Sequence, residues 1–132
     1  MSFDVDLTIT GLQEAQADNA RMIAELRPSG ALGEAVRTAT AGLHRYLVGI
    51  AHVDTGAMRA AQRMEIKNRR GRAMGRIFTD PSAVNPRSGT PPAEYVNYEE
   101  ARGGEHALYT RTVQEAGSRY TRAGLDIVQR GL

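Results

Sequence analysis

Between residues 31 and 79 the hydrophobic period of this chain changes from three-and-four to two, and that change limits the folds open to it. Leu32, Val36, Ala39, Leu43, Leu47 and Ile50 recur at helical spacing, which predicts one amphipathic helix from about Ala31 to Ala51. Beyond Ala61, Met64 and Ile66 alternate with Arg63, Glu65 and Lys67. Asn68-Arg69-Arg70-Gly71 reads as a turn, and Arg72 to Thr79 returns with Met74, Arg76 and Phe78 on one face and Ala73, Gly75 and Ile77 on the other. A long helix handed on to a β-hairpin implies helices packed on a small sheet. Within the helix, Gly33, Gly42 and Gly49 each cost about 1 kcal/mol relative to alanine. Gly42 and Gly49 either let another backbone come close or are simply tolerated.

The corner between helix and hairpin is Val53-Asp54-Thr55-Gly56-Ala57-Met58-Arg59-Ala60-Ala61. Asp54 and Thr55 have side-chain oxygens suited to capping a short helical turn from Gly56 to Ala61. Met58 is expected to pack inward and Arg59 to face outward. Asp-Thr-Gly is also the triplet of aspartic proteases, whose chemistry needs two carboxylates about 3 Å apart sharing a proton in a β-rich domain. Here the triplet follows a long helix and precedes a polar, helix-prone run, so the protease context is missing.

At the start of the chain Phe3, Val5, Leu7 and Ile9 alternate with polar residues, the mark of a half-buried strand. Thr10 and Gln13 fit a capping box for a shorter helix carrying Leu12, Ala15, Asn19, Met22, Ile23 and Leu26 and stopped by Pro28. After the hairpin, Asp80 to Ala93 holds Pro81, Pro86, Pro91 and Pro92, a long loop of the kind that contacts partners. Tyr95, Val96 and Tyr98 follow in a strand or a helical turn. A last helix, from about Glu105 to Arg130, aligns Tyr109, Val113, Ala116, Tyr120, Ala123 and Ile127, with Gly131 as a C-cap.

Composition narrows the chemistry. The 132 residues suit one domain spanning 1–132. Cysteine is absent, which removes disulfides and thiolate chemistry. The N-terminus lacks the pattern of a signal peptide, and the apolar run Tyr46 to Val53 is far short of the roughly 20 residues of a membrane span, so a soluble chain is expected. His44, His52 and His106 have no partner at metal-ligand spacing, and Glu99 and Glu100 are adjacent and must diverge. No catalytic pair, phosphate loop, metal or cofactor site is proposed, and the expectation is a protein that is not an enzyme.

Charge is segregated. Arg59 to Arg76 holds seven basic residues and one acid, whereas residues 1–27 and 93–105 are each net acidic by three. Sixteen of the seventeen basic residues are arginine. The basic hairpin is open to three readings: a solvated surface, a contact with acidic patches of a neighbouring copy or ring, or a contact with DNA phosphates.

Ala51, Val53-Asp54-Thr55-Gly56 and Met58-Arg59, followed by a hairpin and by Tyr95-Val96-Asn97-Tyr98-Glu99, together resemble the signature of a family of tail-component proteins of long-tailed phages. His52 stands where the family has proline, Met58 where it has leucine, and Gly103-Gly104 where it has Gly-Thr. The order of elements agrees over nearly the whole chain. The resemblance implies a structural virion protein at the phage neck, completing the tail or joining it to the head, with capping of the tail tube as an alternative and a basic DNA-binding accessory protein as the rival from another class. Its implied partners are copies of itself in a ring, six by the resemblance, the adjacent head-connector and tail-tube proteins, and DNA passing through the centre. Its implied location is the virion, after assembly in the bacterial cytoplasm. Together with the residue pattern it implies an α+β fold: a small antiparallel β-sheet packed against two long α-helices, with a shorter N-terminal helix and a long Pro-rich loop. The expected structural corner is Val53, Asp54, Thr55, Gly56 and Arg59. Expected contact residues are Arg63, Lys67, Arg69, Arg70, Arg72 and Arg76 on the hairpin, Arg87 in the loop, and Tyr95, Tyr98, Glu99 and Glu100 after it.

Overall fold

Strand β3 (Arg72–Thr79) occupies the middle of a three-stranded antiparallel sheet, flanked by β1 (Ser2–Val5) and β2 (Gln62–Arg69). The computed structural model describes residues 2–5, 30–51, 56–69 and 72–131. Helix α1 (Ala31–Ile50) crosses one face of the sheet, α2 (Ala57–Ala60) turns the corner, and α3 (Pro92–Arg102) leads through a 3-10 turn (Gly104–His106) into the closing helix α4 (Leu108–Gly131). The architecture is α+β, with two long helices packed on a small antiparallel sheet. Leu7, Ile9, the shorter first helix expected over residues 10–27, and Val53, Asp54, Thr55, Arg70 and Gly71 lie outside the described residues.

Alternation decides which side of the sheet is inside. Ala73, Gly75, Ile77 and Thr79 are buried against α1, and Val5 joins them from β1. Fully burying a residue such as Ile77, Val36 or Leu47 stabilises the fold by about 1.5–3 kcal/mol. Helix and sheet meet most closely at Gly75, where an added Cβ would lie 1.8 Å from Thr40 Oγ1. Gly42 is tight for a different reason from the one its spacing suggests. It accommodates the ring of Tyr120 on α4, 2.1 Å from an ideal Cβ, and not a neighbouring backbone; Gly49 faces open space.

The last helix starts later than expected, and its expected stripe holds at Tyr109, Ala116, Tyr120 and Ile127 but not at Val113. Tyr109, Thr112, Ala116, Gly124 and Val128 are buried, while Val113 is 50% exposed. Thr112 is accepted inside because its hydroxyl donates to the Leu108 carbonyl at 2.8 Å. Residues 95–98, open to either strand or helical turn, are helical. Pro92 is at the first turn of α3, where its missing N–H costs nothing.

Arg59 also departs from its expected place. Its Nη2 donates to the Ala51 carbonyl at 3.3 Å, so the side chain folds back onto the C-terminal end of α1. A helix C-terminus leaves carbonyls unsatisfied and carries partial negative charge, which draws a cation. Gly56 precedes α2 with φ of 79°, a left-handed conformation that costs glycine nothing.

A buried polar cluster ties the base of the hairpin to α4. The Tyr109 hydroxyl donates to Gln62 Oε1 at 2.5 Å and accepts from Thr79 Oγ1 at 2.7 Å, and Gln62 Nε2 donates to the Met58 carbonyl at 3.0 Å. His44 Nε2, protonated in the tautomer this contact requires, donates to the Gln62 carbonyl at 3.1 Å. His44 is thus a packing residue that joins α1 to the sheet.

Candidate functional site

Opposite residues of an antiparallel pair share a face of the sheet. The register pairs Arg63 with Phe78, Glu65 with Arg76, Lys67 with Met74 and Arg69 with Arg72, and it sets Asp4 of β1 beside Arg76. The face opposite α1 therefore gathers Arg63, Lys67, Arg72 and Arg76, all exposed, around the half-buried Met74 and Phe78. Position 69 closes the tip opposite Arg72.

This face carries acids as well. Arg63 Nη2 lies 3.5 Å from Asp80, Lys67 Nζ lies 3.2 Å from Glu65, and Arg76 Nε lies 3.8 Å from Asp4. The Arg76 guanidinium also sits 6.0 Å above the Phe78 ring. Exposed pairs of this kind contribute about 0–1 kcal/mol each. Their value is positional: they hold long side chains in a charge pattern of mixed sign around an apolar centre. A phosphate backbone prefers an unbroken row of cations. A protein surface with its own mixed charges matches this pattern better.

The acidic residues after the loop separate into different roles. Glu99 Oε2 accepts from His106 Nδ1 at 2.8 Å, and Glu99 Oε1 lies 3.7 Å from Arg102 Nη1. Glu100 turns the other way and caps α4, accepting from the backbone N–H of Tyr109 and from Thr110 Oγ1 at 3.0 Å. A carboxylate at a helix N-terminus satisfies orphan donors and complements the dipole. Glu100 is therefore engaged within the fold, as the cap of α4. Tyr98 is 72% exposed on α3, and Arg87 is exposed in the loop.

Tyr95 and Glu99 instead line a cleft of about 460 Å³ between α3, the corner and the loop. Its floor is apolar, from Ile50, Met58, Val96 and Leu108; its rim is polar, from Asn85, Ser88, Thr90, Glu99, Glu105 and His106. His106 stands between two carboxylates, with Nε2 3.9 Å from Glu105. Composition marked this stretch as acidic, but only the fold brings loop, helix and corner around one cavity. Among the described residues no group of three or more His, Asp or Glu side chains is placed to hold a metal ion, and no helix is long and apolar enough to cross a membrane.

The chain matches no protein-family model, no curated protein and no solved structure.

Proposed function

We propose that this chain is a non-enzymatic structural protein of a long-tailed phage, one subunit of a homo-oligomeric ring at the head–tail junction through which DNA passes. One observation carries the reading. A single subunit bears two different surfaces of opposite character, the arginine-rich open face of the hairpin and the acidic cleft beside α3. A closed ring built from identical copies needs two unlike, mutually complementary faces on each subunit. The resemblance in Val53–Arg59 and in the order of strand, long helix, corner, hairpin, loop and closing helix supports placing that ring in a phage neck. Tail completion and head–tail joining are the roles this reading assigns.

The test is a triple variant, Arg69→Ser, Arg70→Ser and Arg72→Ser. Its circular dichroism should stay that of the parent, while ring formation or incorporation into particles is lost. Normal assembly by this variant would exclude the hairpin as a contact. Duplex-DNA binding that falls steeply with salt, without ring or particle association, would favour a DNA-binding accessory protein.

A further inference from the structure

We propose that the outer edge of β2 pairs with the same edge of a second copy of this chain, antiparallel and centred on Ile66, so that two sheets join into one. The contact goes beyond the ring reading and stands whether or not rings form. Three observations converge on it.

The first is an open edge. Strand β2 ends the order β1-β3-β2, and among the described residues no strand lies beyond it. One bond fixes which backbone groups face outward. The Asp80 N–H donates to the Ala61 carbonyl at 2.8 Å, so Arg63, Glu65 and Lys67, which continue that register, turn their N–H and C=O groups toward β3. The alternate residues Met64, Ile66 and Asn68 turn theirs away from β3. Gln62 does the same, but its carbonyl accepts from His44 Nε2 at 3.1 Å, which closes the edge at that end. Outward-facing strand groups are a template for another strand.

The second is charge. A two-fold axis at Ile66 sets that residue opposite its own copy, Met64 opposite Asn68, and Glu65 opposite Lys67. The first two kinds of pair exchange backbone bonds. Glu65 and Lys67 occupy the closer pairs between them, where opposite charges stabilise the ladder on both sides of the axis. Slipping the register by two residues sets Glu65 against Glu65 in one direction and Lys67 against Lys67 in the other, and like charges oppose both. Arg63, at the end of the contact, is held by Asp80.

The third is packing. Met64 and Ile66 pair with Ile77 and Gly75, so their side chains lie on the face covered by α1, yet both are only half-buried. Ile66 packs against the cluster of Val36 and Ala73. The pairing lays Ile66 beside its own copy and covers apolar surface that one subunit leaves half open.

Sedimentation of the purified chain tests the contact. The parent should run as a dimer or as an assembly built from dimers. Ile66→Pro removes the central outward N–H and no bond to β3, and it should lower the sedimenting mass about twofold while keeping the circular dichroism of the parent. Glu65→Lys and Lys67→Glu should each dissociate the pair, because like charges then face each other across the axis. Mixed in equal amounts, these two variants should associate, since lysines at both positions of one chain then face glutamates at both positions of the other. That recovery would not follow if the substitutions acted only within a subunit. A monomeric parent, a dimer that survives Ile66→Pro and both charge reversals, or reversed variants that stay apart when mixed would each overturn the pairing.

Discussion

The two faces of the hairpin follow different rules although they alternate along the same two strands. Toward α1, Ala73, Gly75, Ile77 and Thr79 are buried, and the closest approach tolerates no added methyl group. Away from α1, Arg63, Lys67, Arg72 and Arg76 are exposed, and Arg63, Lys67 and Arg76 lie within 3.2–3.8 Å of acids on the surface. One face fixes the shape of the fold, and the other is the face that the proposed ring would use to specify neighbours. Substitutions should therefore divide into those that unfold the monomer and those that spare it but stop assembly.

The sharpest way to break that division is Gly75→Ala. The new Cβ would meet Thr40 Oγ1 at 1.8 Å and Thr40 Cβ at 2.8 Å, so helix and sheet must separate. Overpacking costs about 1–3 kcal/mol, and at this distance a loss near 3 kcal/mol is expected in denaturant unfolding. Adding Thr40→Ala removes the nearest atom and should recover part of it. If Gly75→Ala alone leaves the midpoint unchanged, the helix does not sit where it is described.

Two glycines of α1 sharpen the comparison within a single helix. Gly42→Ala would drive a Cβ into the Tyr120 ring and should cost about 2 kcal/mol. Gly49→Ala meets nothing within 4 Å and should stabilise by up to about 1 kcal/mol through helix propensity. Opposite signs for the same substitution seven residues apart would show that packing sets the cost at Gly42. Equal signs would show that propensity alone was being measured.

These glycines also mark how far sequence alone reaches. The helix over 31–50 and both hairpin strands were legible because one residue class recurs at one period. The stripe of α4 was misread at Val113, and its buried members Thr112 and Gly124 were missed because they carry no hydrophobic signal. The helical state of residues 95–98 had a readable mark in Pro92 that an adjoining Pro-rich loop obscured. The candidate site was legible only as charge. Arg63, Lys67, Arg72 and Arg76 share a face by simple alternation, but the cleft is tertiary. It depends on a loop, a corner and a helix meeting, and no spacing along the chain announces that. Likewise Glu100 caps α4 across a turn made by Gly103 and Gly104, both at positive φ, so its role is set by the path of the backbone.

A smaller effect is expected at the seam between the two faces. Tyr109→Phe removes a hydroxyl from the buried cluster but leaves Gln62 and Thr79 within 3.3 Å of each other, so about 1–2 kcal/mol should be lost. Burial pushes the Tyr109 phenol up to about 12, partly offset by its bond with Thr79 and helped by the Glu100 charge. The fold favours the neutral phenol. Its contribution is therefore complete below the ordinary tyrosine value of about 10 and is lost as pH rises from there toward 12. Phenolate absorbance should show a late-titrating tyrosine in the parent that is missing in Tyr109→Phe. Tyr46, raised by its hydrogen bond to Glu115, titrates late in both proteins and serves as the internal control.

The smallest effects belong to the outer face, and their smallness is itself the prediction. Arg63→Ala and Arg76→Ala should each change stability by no more than about 0.5 kcal/mol at neutral pH. Asp80, the partner of Arg63, reveals itself only in acid. Its carboxylate accepts from the Ser82 hydroxyl at 2.7 Å and from the Ser82 backbone N–H at 2.9 Å, and these bonds, with a further contribution from Arg63, hold it below the usual aspartate range. The fold thus favours the ionised form, whose contribution is present above the ordinary value of about 3.9 and fades as pH falls below it. Asp80→Asn keeps an oxygen that can accept from Ser82 but removes the titration. Its melting temperature should decline less steeply between neutral pH and strong acid than that of the parent. An identical decline in both proteins would mean that acid acts elsewhere and that the outer face, salt links included, contributes nothing measurable to the fold.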